Sequence, residues 1–294
     1  MDKLVEFLER NPVILGDGAM GTMLQQAGLT SGGSTEEWNV THPEALRAIY
    51  QAYVDAGSQV ITTNSFGGTR SRLALHNFED RVREFNRAAA ALAREVADAA
   101  DHIVLVAGSV GPTGEILFPL GTRTVDEARA AFAEQAEALA EGGVDFYLVE
   151  TMSALEEVVA ALEGIRSASS LPVAVTMTFD TRFRTMMGVK PVQAVEALDG
   201  LGVRVLGANC GNGPGEIERI ITEMAAVKPE GVYLMAQSNA GLPVWSQKQI
   251  VYDGTPEVMA DYARKMRQLG VSYVGACCGS TPDHIRAMGR ALRD

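Results

Sequence analysis

The stretch DFYLVETMSALEEVVAALEGIRSASSLPVAVTMTF, residues 145–179, decides the fold. It opens on an apolar run that a strand would bury on both faces and closes on a second such run, PVAVTMTF (172–179). Between them Leu155, Val158, Val159, Leu162 and Ile165 recur at the spacing of one helix face. Ser153 and Glu156 have the spacing of a capping box at the start of that helix. Strand, helix and strand joined by short links form a βαβ unit, whose two strands run parallel.

The same unit repeats in both directions along the chain. Further apolar runs are VILGDGA (13–19), QVITTNSF (59–66), HIVLVAGSV (102–110), VLGANCG (205–211), YLMAQSN (233–239) and YVGACCG (273–279). Leu46, Ile49, Tyr50, Tyr53 and Val54 make another helical stripe, and Ile217, Ile220, Ile221 and Met224 a third. Thr255-Pro256 and Thr281-Pro282 carry the cap-then-proline signature that opens helices. Strand alternates with helix eight times without a linker or a break in composition. That pattern predicts an α/β protein, a single (β/α)8 TIM barrel over residues 1–294, with a doubly wound open sheet as the alternative.

Composition excludes several function classes. The chain has 294 residues, 47% of them hydrophobic, which is enough for one large core. A net charge of −12 argues against a nucleic-acid surface, since phosphate recognition needs clustered Lys and Arg. No apolar stretch approaches a membrane span, and MDKLVEFLER is too charged for a signal peptide. The expectation is a cytoplasmic protein with reduced thiols, no membrane partner and no nucleic-acid partner.

A barrel builds its site at the C-terminal ends of its strands. The runs end there in Asp17, Asn64, Ser109, Glu150, Cys210, Asn239 and the Cys277–Cys278 pair. These are the chain's only three cysteines, an odd and partly adjacent set that suits a soft metal better than disulfides. Three thiolates favour tetrahedral Zn²⁺ with one exchangeable position. For Cys277 and Cys278 to face one ion the strand must deviate at its end, which Gly279 makes easier. Glu150 follows FYLV and needs a positively charged partner; with Asp17 it could hold an ammonium group. GDGAMGT also spells GxGxxG, a weak dinucleotide signal in a chain with 30 glycines. Trp38, Trp245 and Tyr252 fall in predicted loops, where they could cage a quaternary ammonium or serve as packing anchors. The loops over 112–125 and 240–254 are long enough to act as lids or binding elements.

Taken in order, DGAMGTMLQ (17–25), TNSF (63–66), GSVGP (108–112), ET (150–151), GANC (207–210), SNAGLP (238–243) and GACCGSTPDHI (275–285) make the chain resemble the homocysteine S-methyltransferase family over essentially its whole length. The opening motif is most similar to the homocysteine module of cobalamin-dependent methionine synthase. GGTRSRL (67–73) and YDGTPEVMADYA (252–263) look closer to bacterial betaine–homocysteine methyltransferases. The resemblance implies a homocysteine-binding barrel that forms methionine, with Zn²⁺ on Cys210, Cys277 and Cys278 and with Asn239 as a candidate fourth ligand. It implies homocysteine amino recognition by Asp17 and Glu150, carboxylate recognition by amides near Ser109 and Val110, and Asn64 in the same substrate site. It implies donor contacts at Trp38, although the two cage tyrosines of the animal betaine enzymes are replaced here by Gly67 and Thr151. Trp245 and Tyr252 are the candidate substitutes. Glycine betaine is the expected donor, with a methylsulfonium or a separate methylcorrinoid protein as alternatives. A non-catalytic zinc- or thiol-binding regulator is the alternative from another class. The resemblance transfers no oligomeric state.

Overall fold

The computed structural model describes residues 3–30, 32–246 and 249–293. Its strands are β1 (Ile14–Leu15), β2 (Val60–Thr62), β3 (Leu105–Val110), β4 (Phe146–Met152), β5 (Val173–Met177), β6 (Val205–Cys210), β7 (Tyr233–Ser238), β8 (Pro243–Ser246), β9 (Gln249–Tyr252) and β10 (Val271–Ala276). Eight of them form one parallel sheet in the order β1-β10-β7-β6-β5-β4-β3-β2, while β8 and β9 pair as a separate antiparallel hairpin. Helices separate the barrel strands, as in a (β/α)8 barrel. Main-chain ladder pairing stops between β1 and β2. Gln59 bridges that seam, its amide donating to Leu15 O at 2.7 Å and its side chain accepting from Leu15 N at 3.2 Å.

Strand alternation explains where polarity goes. On β4, Phe146 and Leu148 belong to the inner apolar cluster, and Glu150 follows in the same phase. Leu105 and Ala107 are succeeded by Ser109, Ala174 by Thr176, and Met235 by Gln237. The barrel interior is thus apolar below and polar at the C-terminal mouth. Leu4 and Leu8 of the helix Lys3–Arg10 join the inner cluster and close the lower end. Residues of the other phase, such as Tyr147, Val149, Leu206 and Ala208, pack against the surrounding helices. Among the described residues, no helix is long and apolar enough to cross a membrane.

Two features of the helix starts differ from the sequence reading. The Ser153/Glu156 box does not form: the helix begins at Leu155 with Ala154 as its cap and no side-chain hydrogen bond there. A complete box forms instead at Thr124 and Glu127. At Thr255 the side chain accepts from Val258 N, as the cap-then-proline signature predicts.

Gly207 marks the tightest point between β6 and β7. A Cβ there would lie 1.7 Å from Met235 O and 2.7 Å from Met235 C, both backbone atoms. Backbone in a central ladder cannot give way locally, so Gly207→Ala should displace a strand. Its cost should exceed about 4 kcal/mol, which lowers Tm by roughly 8 °C or more or prevents folding. Thermal melting followed by circular dichroism checks this; an unchanged Tm would contradict the packing described.

Candidate active site

The three thiols meet at the barrel mouth. Cys210 ends β6 with φ +64°, and the sulfurs of Cys210, Cys277 and Cys278 all lie within 4.8 Å of one another. Cys277 and Cys278 bring their sulfurs to 4.0 Å, although neighbours on a regular strand would point apart. The strand has ended at Ala276, and the chain turns, with Cys277 O accepting from Ser280 N and Oγ. Gly279 continues the turn at φ +81°, and a Cβ there would strike the Tyr252 ring at 2.2 Å. Cys277 N donates to Ser238 O at 2.7 Å and Ala240 N donates to Cys278 O at 2.9 Å, which tie the turn to the end of β7.

The trio shares its charge unequally. Hydrogen bonds from Cys210 and Cys277 hold the Cys278 thiol down at about 3. Cys210 gains from its contact with Cys277, but donation to Cys278 and burial push it up to about 11. Hydrogen bonding to both partners, with burial, drives Cys277 well above the ordinary thiol range. Tetrahedral Zn–S bonds of about 2.3 Å place sulfurs roughly 3.8 Å apart, so this cluster needs only a small contraction to hold Zn²⁺. Asn239 is buried beside it, its Nδ2 donating to Gly211 O at 2.6 Å and its Oδ1 without a partner. The soft donor set and that orphaned oxygen fit the metal.

Beside the thiols lies a cavity of about 410 Å³ that Asp17 and Glu150 also line. Asp17 crosses the β1–β2 seam: its Oδ2 accepts from Thr62 N at 2.6 Å and its Oδ1 from Thr62 Oγ1 at 3.0 Å. Glu150 accepts from Ser109 Oγ at 2.5 Å. Burial raises both carboxyls to about 7 against the pull of these hydrogen bonds, and for Glu150 the charges of Asp17 and Cys210 add to the rise. Among the described residues no Lys, Arg or His lines the cavity. A cation that satisfies these two carboxylates must therefore come with the ligand.

The other residues singled out by sequence divide between the cavity and its supports. Asn64 and Ser109 line it. Asn64 Nδ2 is committed to Thr35 O and Asn39 Oδ1, and Ser109 N to Thr63 Oγ1. Val110 is fully buried in the outer core and does not line the cavity. Trp38 does not line it either: 9% exposed, it stacks on His42 with ring centroids 4.1 Å apart, and so is a packing anchor. Tyr252 lies against Cys278, while the Trp245 side chain lies outside the described residues. Phe66, Thr62 and Gln237 line the cavity without having been singled out. Gln237 was legible as the polar residue in phase with Met235. His284 caps the last helix through Thr281 and donates to Gly254 O from Nε2, so it is structural. Two of the GxGxxG glycines serve close packing: a Cβ on Gly16 would meet the Tyr273 ring at 2.4 Å and one on Gly18 would meet Ser280 Oγ at 2.5 Å, whereas Gly21 faces open space.

Residues 14–292 match the family model described as homocysteine S-methyltransferase. The chain belongs to the homocysteine S-methyltransferase family. It is 36% identical to the methionine synthases of Mycobacterium leprae and Mycobacterium tuberculosis over 95% of its own length, and it spans 24% of theirs. Among solved structures, the oxidized form of the Escherichia coli homocysteine methyltransferase MmuM superposes with a TM-score of 0.82 at 24% identity, covering 96% of this chain and 97% of that one. The metallated form gives 0.81 at 23% identity, covering 98% and 99%. At these identities the two structures establish the shared barrel fold.

Proposed function

We propose that this chain is a zinc-dependent homocysteine S-methyltransferase, residues 1–294 acting as one homocysteine-binding barrel, with glycine betaine as the methyl donor. The observation that carries the reading is the convergence of three thiols and two buried carboxylates on one cavity whose described lining offers no cation. Cys210, Cys277 and Cys278 would hold Zn²⁺, with Asn239 Oδ1 available for an exchangeable position. Zinc held there would supply Lewis-acid activation, lowering the pKa of a bound homocysteine thiol from about 8.5 so that its sulfur would be ionised at neutral pH. Asp17 and Glu150 take the homocysteine ammonium. Ser109 Oγ, donating to Glu150, holds that carboxylate toward the cavity. The thiolate sulfur then attacks the methyl carbon; the carbon–nitrogen bond of betaine breaks with its electron pair kept on nitrogen, leaving dimethylglycine and methionine. No histidine base takes part, as none lines the cavity among the described residues.

A cationic donor is favoured by the anionic lining, and Phe66 and Tyr252 supply aromatic surface near the thiols. The likeness to methionine synthases favours a second donor reading, a methylcorrinoid carried by a separate protein. A panel of glycine betaine, dimethylsulfoniopropionate, S-methylmethionine and methylcobalamin with a carrier protein tests this. Methionine formation from homocysteine should be fastest with betaine, by about tenfold or more over the sulfonium donors. Inactivity with betaine alone would remove that donor and leave the thiol chemistry standing. Tight homocysteine binding with turnover from no donor would instead favour the regulator.

A further inference from the structure

Asn209, within GANC, has no role in the reaction described above. It is fully buried on β6, and its side chain reaches β5 and, beyond it, β4. Oδ1 accepts from Thr151 N at 2.9 Å and from Thr176 Oγ1 at 2.8 Å, while Nδ2 donates to Thr151 Oγ1 at 2.7 Å. Both residues that flank this bridge are strained. Thr151 has φ +62° and Cys210, next after Asn209, has φ +64°. A β-branched residue in the left-handed region is a steric outlier, and it persists only where its surroundings hold it.

The strain falls where the site is built. Thr151 directly follows Glu150, and the β4–β5 register breaks between Val149 and Met152. The Thr151 amide is therefore outside the regular ladder and is satisfied by a side chain from β6. We propose that Asn209 is a positioning residue: by holding Thr151 in its left-handed conformation it sets the direction of Glu150 toward the cavity and fixes that carboxylate relative to Cys210. The amide thereby couples the ammonium-binding half of the site to the thiol half. This inference rests on the reading of the cavity as the homocysteine site.

Glycine adopts positive φ without steric cost, so it provides the test. If Asn209 acts by holding Thr151, Asn209→Ala should weaken homocysteine binding to the zinc-loaded protein about tenfold or more, measured by calorimetry. N209A/T151G should recover at least fivefold of that loss. A purely structural amide would leave the double variant as weak as N209A or weaker, and that result overturns the proposal. Should N209A fail to fold, Thr151→Gly must bind more tightly than Thr151→Val, which keeps the β-branch and loses the hydroxyl; the reverse order overturns it. The same cycle read by thermal melting needs no homocysteine: the N209A loss in Tm should shrink in the T151G background, and equal losses in both backgrounds refute the coupling. Wild-type protein that binds no homocysteine would strike the acceptor reading alone, and the melting cycle then decides the role of Asn209.

Discussion

Cys278→Ala is expected to lose bound zinc and turnover together. Elemental analysis should find about one zinc per chain in the wild type and less than roughly a tenth of that in the variant. Its kcat/KM should fall by more than ~100-fold, because disturbing only the partners of metal ligands already costs about 10–100-fold. The loss is chemical rather than architectural. The Cys278 carbonyl, which accepts from Ala240 N, remains in the alanine variant, and the turn is held by Cys277 and Ser280 through bonds that alanine does not touch. What disappears is the thiol that carries the charge of the metal-free trio. Asn239→Ala should behave differently, keeping most of its zinc, because an amide oxygen is at most the exchangeable ligand. A Cys278→Ala protein with full activity would sink the thiol-activation mechanism.

The barrel and the cysteines were legible in the sequence for one physical reason. Strands buried on both faces read as continuous apolar runs, so a cysteine or carboxylate at the end of such a run stands out. Glu150 after FYLV is the clearest case, and it lines the cavity beside the thiols. Features that depend on local backbone conformation were not legible. Ser153 and Glu156 have the right spacing for a capping box, but β4 bends at a left-handed Thr151 near its end and the chain enters the helix at Leu155. The packing of Trp38 was not legible for another reason. Its neighbours in sequence are polar, which reads as a loop facing solvent or ligand, whereas its ring is covered by His42 and the outer core. Asn209 was available from strand phase, two residues beyond Gly207, yet the adjacent cysteine dominates that motif.

The second large effect concerns pH, and it runs in opposite directions for stability and for binding. Asp17 and Glu150 titrate near 7 in the folded protein, against ordinary values of 3.8 and 4.5. Between those limits the native state holds protons that the unfolded chain has released. The contribution of each carboxylate to the stability of the ligand-free, metal-free protein should therefore fall as pH rises from about 5 to 7, by on the order of 3 kcal/mol at most, while the Cys278 thiol, held down at about 3, contributes with the opposite sign. Melting chelated wild type beside chelated Glu150→Gln across that range isolates the Glu150 contribution and checks its sign. Homocysteine affinity should rise over the same interval, because its ammonium pairs with the ionised carboxylates, and should level off above about pH 8. Glu150→Gln separates the two effects. Without a buried charge to desolvate, the variant should be more stable than wild type at pH 8 by roughly 1–3 kcal/mol, yet bind homocysteine about 30-fold or more weakly. A substitution that strengthens the fold while it empties the site is expected only where a carboxylate is kept buried for a cation that arrives with the ligand. If Glu150→Gln instead destabilised the protein at pH 8, the carboxylate would already have a partner within the chain, and the assignment of Glu150 to the homocysteine ammonium would fail.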